Sequence, residues 1–301
     1  RIGRVTGSGT LGGTCTFSSG GGGGVNTWSV GDDSNFQFDG SVIDNAKFVK
    51  MGTGKMTVTK NWETSGAVDV NEGTLLSKAT ITLGTGALTV GTNGSLIASS
   101  ASTYTSAKKT PVTNSSVTVN GKFQCGSSDV ATSGFYNLGA KRMTFKSTST
   151  YRLGVSKCYS SASYPGCTHI MGDGAKAALT FEDGATIEAF LSTTYDPATS
   201  IGMDEQKADS FQVFSEIAAL EVGNLNFILP ELPVPAVGHY YWDTSLFNTG
   251  YLYVRYSTVD AIRGIAADSD EQEKIYTTSG VQVKNATKGI YIKGGKKILK
   301  K

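Results

Sequence analysis

Along most of the chain, short runs of alternating apolar and polar residues are separated by Gly, Asn, Ser or Thr, and few stretches follow a helical period. Alternation with a period of two marks a strand with one buried face, because successive side chains leave a strand on opposite sides. The pattern therefore predicts many short strands. Within it one phrase recurs: a Gly, a small or polar residue, a large apolar residue, then alternation. It stands at Gly54-Lys-Met-Thr-Val58, Gly73-Thr-Leu-Leu76, Gly86-Ala-Leu-Thr-Val90, Gly94-Ser-Leu-Ile-Ala98 and Gly121-Lys-Phe-Gln-Cys125. Looser copies follow at Leu179-Thr-Phe181 and Gly184-Ala-Thr-Ile-Glu188. Each glycine predicts a corner where a positive φ carries no Cβ penalty.

Taken as equivalent, Gly54, Gly73, Gly94 and Gly121 are spaced by 19, 21 and 27 residues. That is close to the roughly 20–30 residues of one solenoid coil, which is too small to bury its own apolar face and must be stacked. The alternative is an antiparallel β-sandwich, whose strands recur about every 8–12 residues. The spacings of 13 and 8 around Gly86 fit that period as well. The fold class is all-β, with the solenoid preferred and the sandwich kept open. Further along, Ala208 to Ser215 reads as a strand and Glu216 to Val222 as one or two helical turns. Leu229 to Val237, with Pro230, Pro233 and Pro235, reads as an extended crossover, and Gly250 to Tyr256 as a closing strand. The glycine run 20–24 predicts a flexible link or a wide turn, and no Gly-Lys-Ser/Thr follows it to make a phosphate loop.

Composition supports turn-rich β structure: 38 glycines in 301 residues and only 17% charged residues. The formal charge of +2 conceals an uneven distribution. Residues 203–273 hold 12 acids and 3 bases, whereas 274–301 hold 8 lysines and no acid. Three units are expected: 1–256 as the β body, 257–273 as an acidic linker, and 274–301 as a Lys-rich tail. In the tail, Lys274–Tyr276, Val281–Lys284 and Gly289–Ile292 predict a small meander, turning at Ser279-Gly280 and Lys293-Gly-Gly295. Nucleic acid is not an expected partner, because the tail lacks arginines and stacking aromatics beyond Tyr276 and Tyr291. No run of about 20 apolar residues is present to span a membrane. The opening Arg1-Ile-Gly-Arg4 reads as mid-domain sequence, so a longer parent protein is expected.

Candidate chemistry is sparse. Cys158 and Cys167 enclose a polar, turn-forming stretch and are a candidate disulfide, although the four cysteines, with Cys15 and Cys125, permit three connectivities. The cysteines and two histidines lack metal-ligand spacing, and neither metal nor cofactor is expected. Asp32, Asp33 and Asp39, with Asp69 and Glu72 one coil later, form the candidate acidic cluster. Asp32-Asp33 and Glu182-Asp183 adjoin glycines, where a structural turn role is expected. His169 and His239 have no carboxylate or nucleophile nearby in sequence, so no enzymatic activity is expected. Trp28, Trp62, Tyr240, Tyr241 and Trp242 are candidate stacking residues for sugar rings, Trp62 and Trp242 foremost, although an aromatic at alternate strand positions is more often a core residue.

Residues Lys50-Met-Gly-Thr-Gly-Lys-Met-Thr-Val58, Gly66-Ala-Val-Asp-Val70 and Asn71-Glu-Gly-Thr-Leu75 resemble the autotransporter-associated β-strand repeat. Its members run Lys-x-Gly-x-Gly-x-Leu-x-Leu, then a Gly, then Val-x-x-Gly-x-Leu. Asn26-Thr-Trp-Ser-Val30, Asn35-Phe-Gln-Phe-Asp39, Tyr241-Trp-Asp-Thr-Ser-Leu246 and Gly250-Tyr-Leu-Tyr-Val254 are similar to phrases of such passengers. The resemblance implies a right-handed parallel β-helix displayed outside the cell, without a shared enzymatic activity. A second resemblance joins Ile275-Tyr-Thr-Thr-Ser-Gly-Val-Gln-Val283, Lys288-Gly-Ile-Tyr-Ile292 and Gly294-Gly-Lys-Lys-Ile-Leu-Lys-Lys301 to the C-terminal sorting signal of type IX secretion cargo. It implies that Tyr276, Gly280, Gly289, Tyr291, Lys296, Lys297, Lys300 and Lys301 belong to a signal read by the outer-membrane secretion and attachment machinery. The expected function is thus a secreted or bacterial cell-surface structural, adhesin-like passenger segment. The alternative is a carbohydrate-binding module, or the remnant of a polysaccharide-degrading enzyme, that meets glycans or a host surface.

Overall fold

A computed structural model of the chain describes residues 2–12, 14–15, 24–79, 81–83, 86–98, 116–126, 134–156, 166–259, 275–277, 282–283, 289–293 and 296–300. These are almost wholly strands and turns. The dominant sheet has fourteen strands and curls into a half-barrel. Every pairing within it is parallel. The antiparallel sandwich is therefore not how this sheet is built.

Two columns of strands run through the sheet. In the first, Trp28, Phe48, Val68, Leu88, Val117, Met143, Leu179 and Leu220 occupy one in-register row that faces the core. In the second, Phe36, Met56, Leu75, Leu96, Phe123, Tyr151, Ile187 and Phe227 form the corresponding row. A third flank is made of smaller parallel sheets. One pairs Thr10–Leu11, Ser41–Asp44, Trp62–Thr64 and Ile81–Leu83, and the other pairs Gly134–Gly139, Thr168–Gly172 and Phe214–Ser215.

The repeat is also written in side-chain bonds. Asp33 accepts from the Thr53 amide and hydroxyl, Asn35 from the Lys55 amide and Asp39 from the Thr59 hydroxyl, each across 20 residues. Later rungs lengthen, so that Lys146 meets Glu182 and Arg152 meets Glu188 across 36 residues. The parallel register is kept across these longer intervals.

The recurring glycines stack as their spacing predicts. Gly73 pairs with Gly94, while Thr74 opposite Lys55 and Ser95 opposite Lys122 place Gly54 and Gly121 on either side. Their reason differs from the one expected. Among these four, positive φ is found only at Gly73, at +63°. At Gly54, Gly94 and Gly121 a Cβ would lie 2.0 Å from Ser34 O, 1.9 Å from Val70 O and 2.2 Å from Gly91 O. Contact with the neighbouring rung's backbone, not a left-handed turn, excludes a side chain there.

One inward row is apolar with a single exception. Val30, Lys50, Val70, Val90, Val119 and Phe145 occupy successive rungs of one row. Lys50 is fully buried. Its ammonium donates to Met51 O and Gly52 O at 2.8 Å and to Glu72 O at 3.2 Å, while Glu72 accepts from the Gly52 amide at 2.8 Å. Burial lowers the Lys50 pKa, and Glu72, Asp32 and Asp33 oppose that shift.

The far end of the parallel sheet meets a three-stranded antiparallel sheet in which Tyr251–Ser257 lies between Ala208–Gln212 and His239–Asp243. Phe247, 2% exposed, closes the join, with ring centroids 5.9 Å from Phe181, 5.6 Å from Phe214 and 5.4 Å from Phe227. The helical turns expected over Glu216 to Val222 do not form. Ala219–Val222 is a strand paired with Ala178–Phe181, because Leu220 and Val222 continue the apolar rows. The α-helix of the described residues, Pro197–Ser200, is a single turn capped by Asp196 and carrying proline in its first turn.

The tail departs from the expected meander. Ile275–Thr277 lies between Gln282–Val283 and Gly289–Lys293, and the lysine-rich terminus adds a fourth antiparallel strand, Lys296–Lys300. Ile298 and Leu299 make the terminus a strand sequence despite its charge.

Gly94→Ala is expected to destabilise the protein by about 1–3 kcal/mol, since backbone must move to admit the methyl group. Gly9→Ala, where a Cβ meets nothing within 4 Å, is the matched control. Equal thermal melting midpoints for the two variants would refute this steric account.

Candidate functional site

The outer face of the C-terminal antiparallel sheet gathers partly exposed aromatic and hydrogen-bonding side chains. Leu252, Val254 and Tyr256 point into the core, so the alternation of Tyr251–Ser257 turns Tyr251, Tyr253 and Arg255 outward. Register places Tyr241 opposite Arg255, Asp243 opposite Tyr253 and Gln212 opposite Tyr251. Arg255 donates to Asp243 at 2.7 Å, and its guanidinium lies 5.0 Å from the Tyr253 ring centroid. The Tyr251 and Tyr253 rings are near-parallel, 6.0 Å apart with 24° between planes. Gln212 Nε2 donates to the Tyr251 hydroxyl at 3.1 Å, and the His239 ring lies 5.7 Å from Tyr241. Partial burial pushes the Asp243 carboxyl up, but the Ser245 hydroxyl and amide, together with Arg255, hold it below the usual carboxylate range.

The two tryptophans proposed for stacking have different surroundings. Trp62 is fully buried, with Phe48 4.7 Å and Phe38 6.4 Å away by ring centroid and its indole N–H directed at Gly40 O. A ring with no exposed surface cannot receive a sugar, so Trp62 is corrected to a core residue. Trp242 is half-buried beneath the antiparallel sheet, against Phe211 at 6.3 Å, with its N–H held by Pro230 O at 2.9 Å.

A buried polar cluster occupies the third flank. His169 Nδ1 lies 2.6 Å from Gln212 O and Nε2 lies 2.8 Å from the Ser215 hydroxyl. A carbonyl can only accept, so Nδ1 carries the proton and Nε2 accepts from Ser215. Burial lowers the His169 pKa to about 4, partly opposed by Gln212 O. Nearby, Cys125 Sγ is 3.5 Å from the Tyr151 hydroxyl, which donates to Thr168 O. Burial pushes the Cys125 thiol up to about 12, which keeps it from acting as a thiolate nucleophile. The Cys167 thiol is buried and directed at Gln212 O, 3.3 Å away. Its proposed partner Cys158 lies outside the described residues.

The acidic cluster is consumed by the architecture. Asp32 accepts from the Ser34 amide and pairs with Arg4 at 3.2 Å, Asp69 pairs with Lys47 at 2.7 Å, and Asp33, Asp39 and Glu72 join successive rungs. Glu182 pairs with Lys146, and Asp183 accepts from the Asn224 amide. Among the described residues, no group of three or more His, Cys, Asp and Glu is placed to hold a metal ion. Nor is any helix among them long and apolar enough to cross a membrane.

Of the tail residues, Tyr276, Gly289, Tyr291, Lys296, Lys297 and Lys300 lie on the strands of the terminal sheet, whereas Gly280 and Lys301 lie outside the described residues. Tyr276 pairs with Ile292, Tyr291 with Thr277 and Lys300 with Gly289. The outward Tyr251, Tyr253 and Arg255 were missed as a set by sequence reasoning. Their signal was the alternation Tyr-Leu-Tyr-Val-Arg-Tyr, whose outward half is aromatic where a solvated face would be Thr, Ser or Lys. No family model matches the chain, and neither a curated protein nor a solved structure matches it.

His169 makes stability depend on pH in a defined direction. Above about pH 6.5 the ring is neutral in both states, and between there and about pH 4 only the unfolded chain takes up the proton. Stability is therefore present above pH 6.5 and is lost as pH falls, by about 3 kcal/mol over the whole window. Urea unfolding at about pH 7 and about pH 4.5 should show a fall smaller by about 2–3 kcal/mol in His169→Asn than in the parent. An equal fall in both proteins would assign the acid sensitivity elsewhere.

Proposed function

We propose that this chain is a secreted or cell-surface structural passenger segment, wound as a right-handed parallel β-helix and exported by type IX secretion through its C-terminal tail. The observation that carries the first half is the in-register stacking of Gly54, Gly73, Gly94 and Gly121 with parallel pairing on three flanks. Such stacking is what a coil of about 20 residues needs, because only a neighbouring coil can cover its apolar face. The resemblance to the autotransporter-associated repeat gains physical sense at Lys50. The lysine that opens the motif holds three carbonyls at a rung corner, and the two glycines after it, Gly52 and Gly54, would each meet neighbouring backbone if they carried a Cβ.

The second half rests on the resemblance of the tail and on its separate pairing. The four terminal strands form their own antiparallel sheet, and none of their pairings joins the parallel ladders. Lys296–Lys300 is an edge strand of that sheet, with Lys297 opposite Ile292 and Lys300 opposite Gly289. An edge strand leaves one row of backbone groups for another chain, and its lysines set up a field that an anionic partner follows. The expected partner is the outer-membrane secretion and attachment machinery.

Fusion of residues 257–301 to an inert periplasmic reporter should deliver that reporter to the surface of a type IX-competent host. Removal of Lys296–Lys300 should leave it inside. A full-length fusion that stays periplasmic would overturn the sorting assignment.

A further inference from the structure

We propose that the outer face of the C-terminal antiparallel sheet, centred on Tyr241 with Asp243, Tyr253 and Arg255, binds a neutral pyranose glycan. The inference stands on the geometry of this face and does not rest on the export reading.

Three features of the face select the ligand. The first is shape. Three strands about 4.8 Å apart and some five residues long present roughly 250 Å², well below the roughly 800 Å² per partner that a stable protein interface requires. Two or three sugar rings fit it. The second is chemistry: Tyr241, 39% exposed, is the most accessible ring of the sheet's outer face. The face of an aromatic ring is negative and attracts the slightly positive C–H groups on one side of a pyranose. Arg255, directly opposite Tyr241, and Asp243, two residues along Tyr241's own strand, present planar donors and acceptors 2.7 Å apart, an arrangement suited to two vicinal hydroxyls. Tyr253, Tyr251 and Gln212 continue the row with hydroxyl and amide groups.

The third feature is charge. Arg255 and Asp243 neutralise one another, and no other Asp, Glu, Lys or Arg stands among the outward residues of these strands. A polyanionic or polycationic ligand therefore finds no field here. Aliphatic side chains are also absent from the outward positions of Tyr251–Ser257, which separates this face from the apolar rows buried inside.

The test uses the full chain in native affinity electrophoresis through gels containing soluble β-glucan, xylan, mannan or galactan, with heparin as the charged control. At least one neutral polysaccharide should retard the protein. Tyr241→Ala should weaken that retardation at least tenfold, while Tyr241→Phe, which keeps the ring, should preserve it. Retardation by none of the four, retardation by heparin alone that disappears with salt, or full retention in Tyr241→Ala would each overturn the proposal. Should Tyr241→Ala melt below the assay temperature, saturation-transfer NMR on the unaltered chain decides the matter with the same glycans. Irradiation of the aromatic protons must then reach sugar ring protons, and failure to do so contradicts the proposal.

Discussion

Everything in the body of this protein depends on one rung landing on the next in register, about 4.8 Å away. The apolar rows of the large parallel sheet are formed only when its strands pair in that register. The same proximity that buries Val68 against Phe48 and Leu88 brings backbone against backbone at the corners. Glycine is required there for space. Polar side chains then tie each rung to its neighbour, as Asp33 does with Thr53 and Asp39 with Thr59, which is why the carboxylates of this region serve structure.

Lys50, His169 and Asp209 are held in the interior by hydrogen bonds to backbone carbonyls or hydroxyls. Lys50 replaces a valine of its row and satisfies three carbonyls. His169 stays neutral because burial disfavours the imidazolium, while a carbonyl and a hydroxyl meet its two nitrogens. At the end of the stack the pairing changes from parallel to antiparallel, with Phe247 filling the transition. The change has a functional side, since an antiparallel sheet can bury one face and leave the other to solvent. The aromatic row of the proposed glycan face stands on that solvent side.

Much of this was legible in the sequence, because period-two alternation and glycine spacing report directly on strands and stacking. The phrases at Gly73 and Gly94 identified true partners. What stayed hidden was long-range. Trp62 stayed open between sugar stacking and core packing because alternation alone does not say which face of a strand will be covered. Glu216 to Val222 suggested helical turns until the rows of Leu179 and Phe181 claimed Leu220 and Val222. The platform around Tyr241 draws on three strands separated by as many as 47 residues, Ala208 to Arg255, and becomes visible only when they pair.

The stacking claim is tested most directly by spin-label distances along the outward column Thr89, Thr118, Thr144, Thr180 and Glu221, whose members are successive register partners. Cysteine at Thr89 is labelled together with cysteine at each of the other positions in turn, and the separation is read by electron paramagnetic resonance. Parallel rungs predict a steady increase of about 4.8 Å per step, from the first partner to the fourth. A series that fails to increase steadily in that order would contradict it.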